Sequence, residues 1–222
     1  MATFESLLHD VLPSVYGCSD PVAIAAIRSA AIDFCTKSEV YQQELDPVTT
    51  VAKIYEYDLE PPKHTVVHKI LWLINDGEKL EPVSTGLLEQ RLPAWRDKAN
   101  AGIPKYFVQQ GQDVFFLAPM PAATKVESVI LRAVLKPEVA ALELDDEIIN
   151  NYKDAIVNGA LFRLLRTPAK VWTDYSAAQI YASLYAEGVK EAEASARASN
   201  TPIARSVKYG GYHTSPTRRR YS

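Results

Sequence analysis

Near both ends of this chain apolar residues recur at helical spacing, and between about residues 40 and 140 they recur at strand spacing. Few folds accommodate that order. Helices and strands segregated along the sequence argue for α+β over α/β, in which the two would alternate. The expected architecture is a helical bundle built from both ends of the chain, with an antiparallel β domain inserted between them and an extended C-terminal arm. The corresponding boundaries are 1–39 for the N-terminal helices, 40–140 for the β domain, 141–198 for a C-terminal helical hairpin and 199–222 for the arm.

The first long helix opens at Ser19-Asp20-Pro21, where Asp20 can cap free backbone N–H groups and Pro21 suits an early helical position. Ile24, Ile27, Ala31 and Phe34 then form an apolar stripe, with Arg28 and Asp33 off it. A shorter helix carrying Phe4, Leu7, Leu8, Val11 and Leu12 precedes it and is expected to end at Pro13. Towards the other end, Asp145 begins a helix whose broad face holds Ile148, Tyr152, Ala155, Ile156, Gly159, Phe162 and Leu165. Asp174 caps the next, with Ile180, Tyr181, Leu184, Tyr185 and Val189 expected on its apolar side, so that the two pack as an αα-hairpin.

The middle is rich in β-branched and aromatic residues. Residues 49–59 and 64–74 read as strands separated by Pro61-Pro62, and Asn75-Asp76-Gly77 should turn the chain into a strand from Lys79 to Val83. A helical turn is expected within Ser84 to Ala94, followed by a hairpin turning at Gln110-Gly111 and a strand ending at Pro137.

Local signatures of chemistry are scarce. The chain has no GxSxG, P-loop, GxGxxG or HExxH. Cys18 and Cys35 lack metal spacing and read as reduced, mostly buried thiols. His64 and His68 could share one strand face but have no further ligand nearby in sequence, and Asp145-Asp146 fits helix capping better than acid–base work. Trp72 and Trp172 read as packing residues, whereas Trp95, in a proline-bounded loop, could pack or serve a ligand. The expectation is a protein that is not an enzyme, with no catalytic residues, no metal site and no cofactor. A site in a cleft between bundle and β domain, using Trp95, His64 or His68, is the enzymatic alternative. The N-terminus lacks the pattern of a signal peptide and no stretch approaches transmembrane length, so a protein made in the cytosol, with no membrane partner, is expected.

Charge is the more informative signal. The formal net charge is −3, but no acid follows Glu193, while Arg197, Arg205, Lys208, Arg218, Arg219 and Arg220 do, which leaves −9 on the preceding residues. The terminal segment also interleaves Tyr209, Tyr212 and Tyr221 with glycines and has no hydrophobic period, so it needs a partner in order to become ordered. Arginine and tyrosine dominate protein interfaces, and arginine also neutralises phosphate. Arg205, Lys208, Tyr209, Tyr212, Arg218, Arg219, Arg220 and Tyr221 are therefore candidate docking residues for a protein surface, with nucleic-acid binding through the same arm as the alternative.

Four stretches, at residues 11–35, 46–62, 118–137 and 156–192, taken in this order resemble the head-to-tail adaptor (connector) proteins of tailed bacteriophages. The runs GCSDP and NGALFRLL with a downstream tryptophan are the least generic parts of the match. The resemblance implies a virion structural protein at the head–tail interface: a homo-oligomeric, commonly dodecameric ring with its bundle against the portal protein and its β domain facing a tail or nozzle protein. It further implies a C-terminal segment that embraces portal subunits and a central opening that passes genomic DNA without sequence-specific binding.

Overall fold

The structure, a computed structural model, describes residues 1–198. In chain order its elements are β1 (Ala2–Thr3), α1 (Leu8–Val11), α2 (Asp20–Ser38), β2 (Gln42–Glu44), β3 (Val48–Thr50), β4 (Glu56–Asp58) and β5 (Thr65–Asn75). They continue through β6 (Glu78–Lys79), β7 (Glu81–Pro82), α3 (Thr85–Arg91), β8 (Tyr106–Gln110), β9 (Val114–Ala118), β10 (Lys125–Pro137) and β11 (Glu143–Leu144) to α4 (Asp146–Leu165) and α5 (Tyr175–Arg197). The α+β reading is correct, and helices from both ends of the chain pack together.

The expected N-terminal caps of α4 and α5 both form. Asp145 Oδ1 accepts from the Glu147 N–H at 2.8 Å, and Asp174 Oδ1 accepts from Ser176 and Ala177 at 2.9 and 3.0 Å, each satisfying donors that the helix cannot bond internally. The start of α2 differs. Ser19, with extended backbone, occupies the capping position without a side-chain bond, and Asp20 lies in the first turn, where its charge favours the helix dipole. The expected first helix is also broken up: α1 is a single turn flanked by 3-10 turns at Phe4–Leu7 and Leu12–Ser14, with Pro13 inside the last of these. Phe4, Leu7, Val11 and Val15 are nonetheless all buried, so packing dictates this segment more than helical regularity does.

Helices α2, α4 and α5 meet at Gly159. A Cβ there would lie 2.9 Å from the Tyr185 ring and 3.2 Å from the Ala30 Cβ, and one at Gly188 would lie 2.7 Å from the Ala155 Cβ. Phe34 meets Tyr152 with ring centroids 5.3 Å apart, so α2 runs antiparallel to α4. α2 also packs on β10, where Ala133, Val134 and Leu135 are buried in succession, as in a strand covered on both faces.

The strands form two main sheets, one ordered β2-β10-β5-β6 with β3 also on β10, the other β4-β9-β8-β7. β1 pairs separately with β11. Asp76 and Gly77, at φ 51° and 84°, make the tight turn expected between β5 and β6. Two single strands expected from sequence are instead split between sheets. The run 49–59 turns at Lys53, whose φ is 61° and whose N–H reaches Pro121 O at 2.8 Å, so β3 joins β10 and β4 joins β9. Tyr57 holds that turn closed, with its hydroxyl donating to Ile54 O at 2.9 Å. The run 79–83 is divided at buried Leu80, after which β7 pairs with β8 in parallel, so the β region is mixed and not purely antiparallel. Between the sheets the Gln109 amide imitates a strand: its Oε1 accepts from Ile70 N–H at 2.8 Å and its Nε2 donates to His68 O at 3.3 Å. A side chain thus covers part of the edge of β5.

The Gly159→Ala substitution is expected to lower unfolding free energy by about 1–3 kcal/mol through overpacking, seen as a lower denaturant midpoint. Gly86→Ala, on α3 with open space around it, is expected to be neutral or stabilising by up to about 1 kcal/mol.

Candidate partner-binding surfaces

The arm residues Arg205, Lys208, Tyr209, Tyr212, Arg218, Arg219, Arg220 and Tyr221 lie outside the described residues. What the structure supplies is the root of the arm. α5 ends at Arg197, and the Ala198 N–H closes on Ala194 O and Ser195 O at 3.2 and 3.1 Å. Gln42 anchors that end by donating from Nε2 to Ala196 O at 3.3 Å.

Beside this root lies a cleft of about 570 Å³ where α4 begins and β2 passes, lined among others by Tyr41, Asp145, Glu147, Ile148 and Ser195. A second cleft of about 430 Å³ follows the seam between α4 and α5, with Asp154, Leu184, Glu187 and Glu191 on its walls. Both include Asn151 and Tyr152, so together they form one furrow along the first half of α4. At its middle Tyr152 departs from helical geometry, with φ −129° and ψ 20°.

The outer side of α5 corrects the sequence reading. Tyr185 is buried as expected, and Tyr181 and Val189 are half-buried, but Ile180 is 63% exposed and Leu184 is also exposed. Besides Tyr185, the buried positions of α5 are small, Ala178, Ala192 and Ala196, and at Gly188 an added Cβ would come within 2.7 Å of Ala155. Val171, 88% exposed, and Tyr175 extend the exposed apolar surface towards the start of α5.

Inside the bundle Asp33, placed off the apolar stripe, turns out to be its polar centre. Its Oδ2 accepts from the Tyr185 hydroxyl at 2.7 Å and from Lys37 at 2.8 Å, and lies 3.1 Å from Arg163, which also donates to Gly159 O at 2.9 Å. Burial pushes the Asp33 carboxyl up, but the bonds from Lys37, Tyr185 and Arg163 outweigh it and hold the group below its ordinary range. Burial and the Asp33 charge raise Tyr185. These residues come from three helices, and only their identity as polar groups on helical faces was visible in sequence.

The other sequence candidates are dispersed. His64 sits in a turn at φ 62°, before β5 begins, and faces Glu138 at 3.2 Å, whereas His68 lies within the strand; burial, with Lys136 and Lys69 near, lowers His68. Among the described residues no three His, Cys, Asp or Glu side chains gather to hold a metal ion. Trp95 is a core residue: it is buried with Leu88, Val108 and Ala118, its ring 5.2 Å from Tyr55 and 5.9 Å from Phe116. Trp172 is half-buried against the main core and Trp72 half-buried on β5. Cys18 and Cys35 are free thiols, and complete burial raises Cys35 to about 12. No described helix is long and apolar enough to cross a membrane.

A family model described as SU10 adaptor protein matches residues 2–206. The match includes every described helix and strand, and of the eight arm candidates it includes Arg205 alone. No curated protein matches the chain.

Because the Asp33 carboxyl is more acidic in the folded protein than in the unfolded chain, its stabilising effect is complete above about pH 4 and is lost as the pH falls through its lower, folded value. Asp33→Asn is therefore expected to cost about 1–3 kcal/mol at pH 7, with the difference from the wild type shrinking as the pH falls below about 4, as checked by denaturant unfolding across that range.

Proposed function

Since the chain belongs to the SU10 adaptor protein family, a family of phage head–tail adaptors, we propose that it is a virion structural protein that joins the portal protein to a tail or nozzle protein. The observation that carries this reading is the extent of the match, residues 2–206, which runs through both the helices and the sheets. In this reading the subunits form a ring, a dodecamer by the resemblance of the chain to connectors, and the C-terminal arm docks on the portal through Arg205, Lys208, Tyr209, Tyr212, Arg218, Arg219, Arg220 and Tyr221.

Charge supports the division of labour. The arm after Ala198 carries five positive charges and no acid, so residues 1–198 carry −8 of the total of −3. An acidic wall does not grip phosphates, which suits a conduit through which genomic DNA must slide. The exposed Ile180, Leu184, Val171 and Tyr175 offer apolar area for contacts that an isolated subunit leaves unmade. The three segments 1–39, 40–140 and 141–198 would then serve as the rigid body and the arm as the strap.

The direct test is native mass measurement of the protein alone and mixed with its portal, using the full chain and a variant carrying Arg218→Ala, Arg219→Ala, Arg220→Ala and Tyr221→Ala. A ring is expected on mixing the wild-type chain with the portal, and at least a tenfold loss of portal affinity is expected for the variant, since residues of these types supply most interface energy. Undiminished assembly by the variant would exclude these four residues as the docking element. Tight DNA binding that falls steeply with salt, without any portal complex, would instead favour the nucleic-acid reading.

A further inference from the structure

Strands β5 and β10 read as near-continuous apolar runs, TVVHKILWLI and VILRAVL, the pattern of strands that are covered on both faces. Only one face carries core residues. Val67, Leu73, Leu131 and Leu135 enter the main core, whereas Val66, Trp72, Ile74 and Ile130, which point the other way, are half-buried and belong to neither of the two apolar cores among the described residues. The strand register sets them side by side, with Ile74 opposite Ile130, Trp72 opposite Arg132 and Val66 opposite Lys136. Contiguous apolar area of this kind, rimmed by polar residues, marks an interaction site.

The rim of this face is cationic. Lys69, Lys79, Arg132 and Lys136 share it, with Lys69 already meeting Glu39 at 2.9 Å. Arg132 Nε is buried and finds no hydrogen-bond acceptor among the described residues, not even Glu44, its neighbour on β2. A buried guanidinium N–H in that state is completed by a carboxylate brought from outside the subunit. The outer side of α5 carries the complement: Ile180 and Leu184 are exposed, and Asp154, Glu187 and Glu191 share the cleft that Leu184 lines. Lys153, the cation of that cleft, is engaged by Asp10 at 2.8 Å. From Ile180 to Glu191 the helix runs about 17 Å, which fits within the roughly 26 Å of strand from Val66 to Ile74. Two sheet faces laid on each other would set cations against cations, which disfavours a symmetric pairing of this surface.

We propose that the outer face of β5 and β10 seats the outer side of α5 from a neighbouring copy of this chain, with Ile180 and Leu184 on the apolar strip at Trp72 and Ile130 and the carboxylates of Glu187 and Glu191 reaching Arg132 and Lys136. The two surfaces are unlike, so each copy both gives and receives, and such contacts propagate into a ring or a filament instead of stopping at a pair. The proposal rests on the ring reading above and names the surfaces by which its subunits meet.

Charge exchange tests it, read by native mass measurement on the full chain alone and mixed with its portal. One variant carries Arg132→Glu and Lys136→Glu, the other Glu187→Lys and Glu191→Lys. Each by itself is expected to assemble at least tenfold less well than the wild type, because like charges then face each other across every contact. An equimolar mixture of the two is expected to assemble like the wild type, with the variants alternating, since every contact in it again joins opposite charges. Damage to folding cannot be repaired in that way. Ile180→Ser, at a position exposed in the single subunit, is expected to reduce assembly without lowering the denaturant midpoint. Assembly of any of these three variants as tight as that of the wild type, or a loss that the mixture does not restore, would overturn the proposal and leave the ring reading standing. A wild-type chain that forms no ring either alone or with the portal would overturn both.

Discussion

Three helices drawn from opposite ends of the chain converge on Gly159, and the rest of the molecule is arranged around that contact. The absence of a Cβ lets the Tyr185 ring and Ala30 approach the α4 backbone, and Asp33 then links α2 to both neighbours through Tyr185 and Arg163. Close approach brings the polar groups within bonding distance, and the bonds fix the register of the helices that make the approach. Neither works alone: the gap would be a cavity without the ring, and a half-buried carboxylate without donors would be costly. Because α2 precedes the strands and α4 follows them, this junction closes the chain around the β region, and α2 transmits the constraint to β10.

The β region is organised by transfers between sheets. Short segments around Lys53 and Leu80 carry the chain from one sheet to the other, and the Gln109 amide bonds across the gap. Trp95 closes a smaller core beneath the second sheet, with the Arg96 guanidinium over its ring at 4.5 Å. The result is a body with few long open edges, as befits a member of an adaptor family whose contacts must be made by chosen surfaces instead of by indiscriminate strand pairing.

Charge separates body from arm more sharply than fold does. Residues 1–198 carry a formal charge of −8 and the residues after them +5. The division falls at the end of α5, so the sign of the charge changes where the helical body ends.

Much of this was legible in the sequence. The helical ends, the strand-rich middle, the Asp145 and Asp174 caps and the Asp76-Gly77 turn are local matters, decided by hydrogen bonds and dihedral preferences within a few residues. Composition likewise marked off the basic arm. What only the tertiary structure decided involves residues distant in sequence. The side of α5 that faces inward was misread because Ile180 and Leu184 are large apolar residues, yet they stay exposed while Tyr185 and the small Ala178, Ala192 and Ala196 are buried. The role of Asp33 was invisible because Tyr185 and Arg163, the partners that tie it to the other helices, lie well over a hundred residues away, and the strands at 49–59 and 79–83 divide because each half satisfies its backbone in a different sheet. Side-chain period reports that a residue is apolar or polar; how much room its neighbours leave, and which donors they bring, is fixed only when the chain has closed on itself.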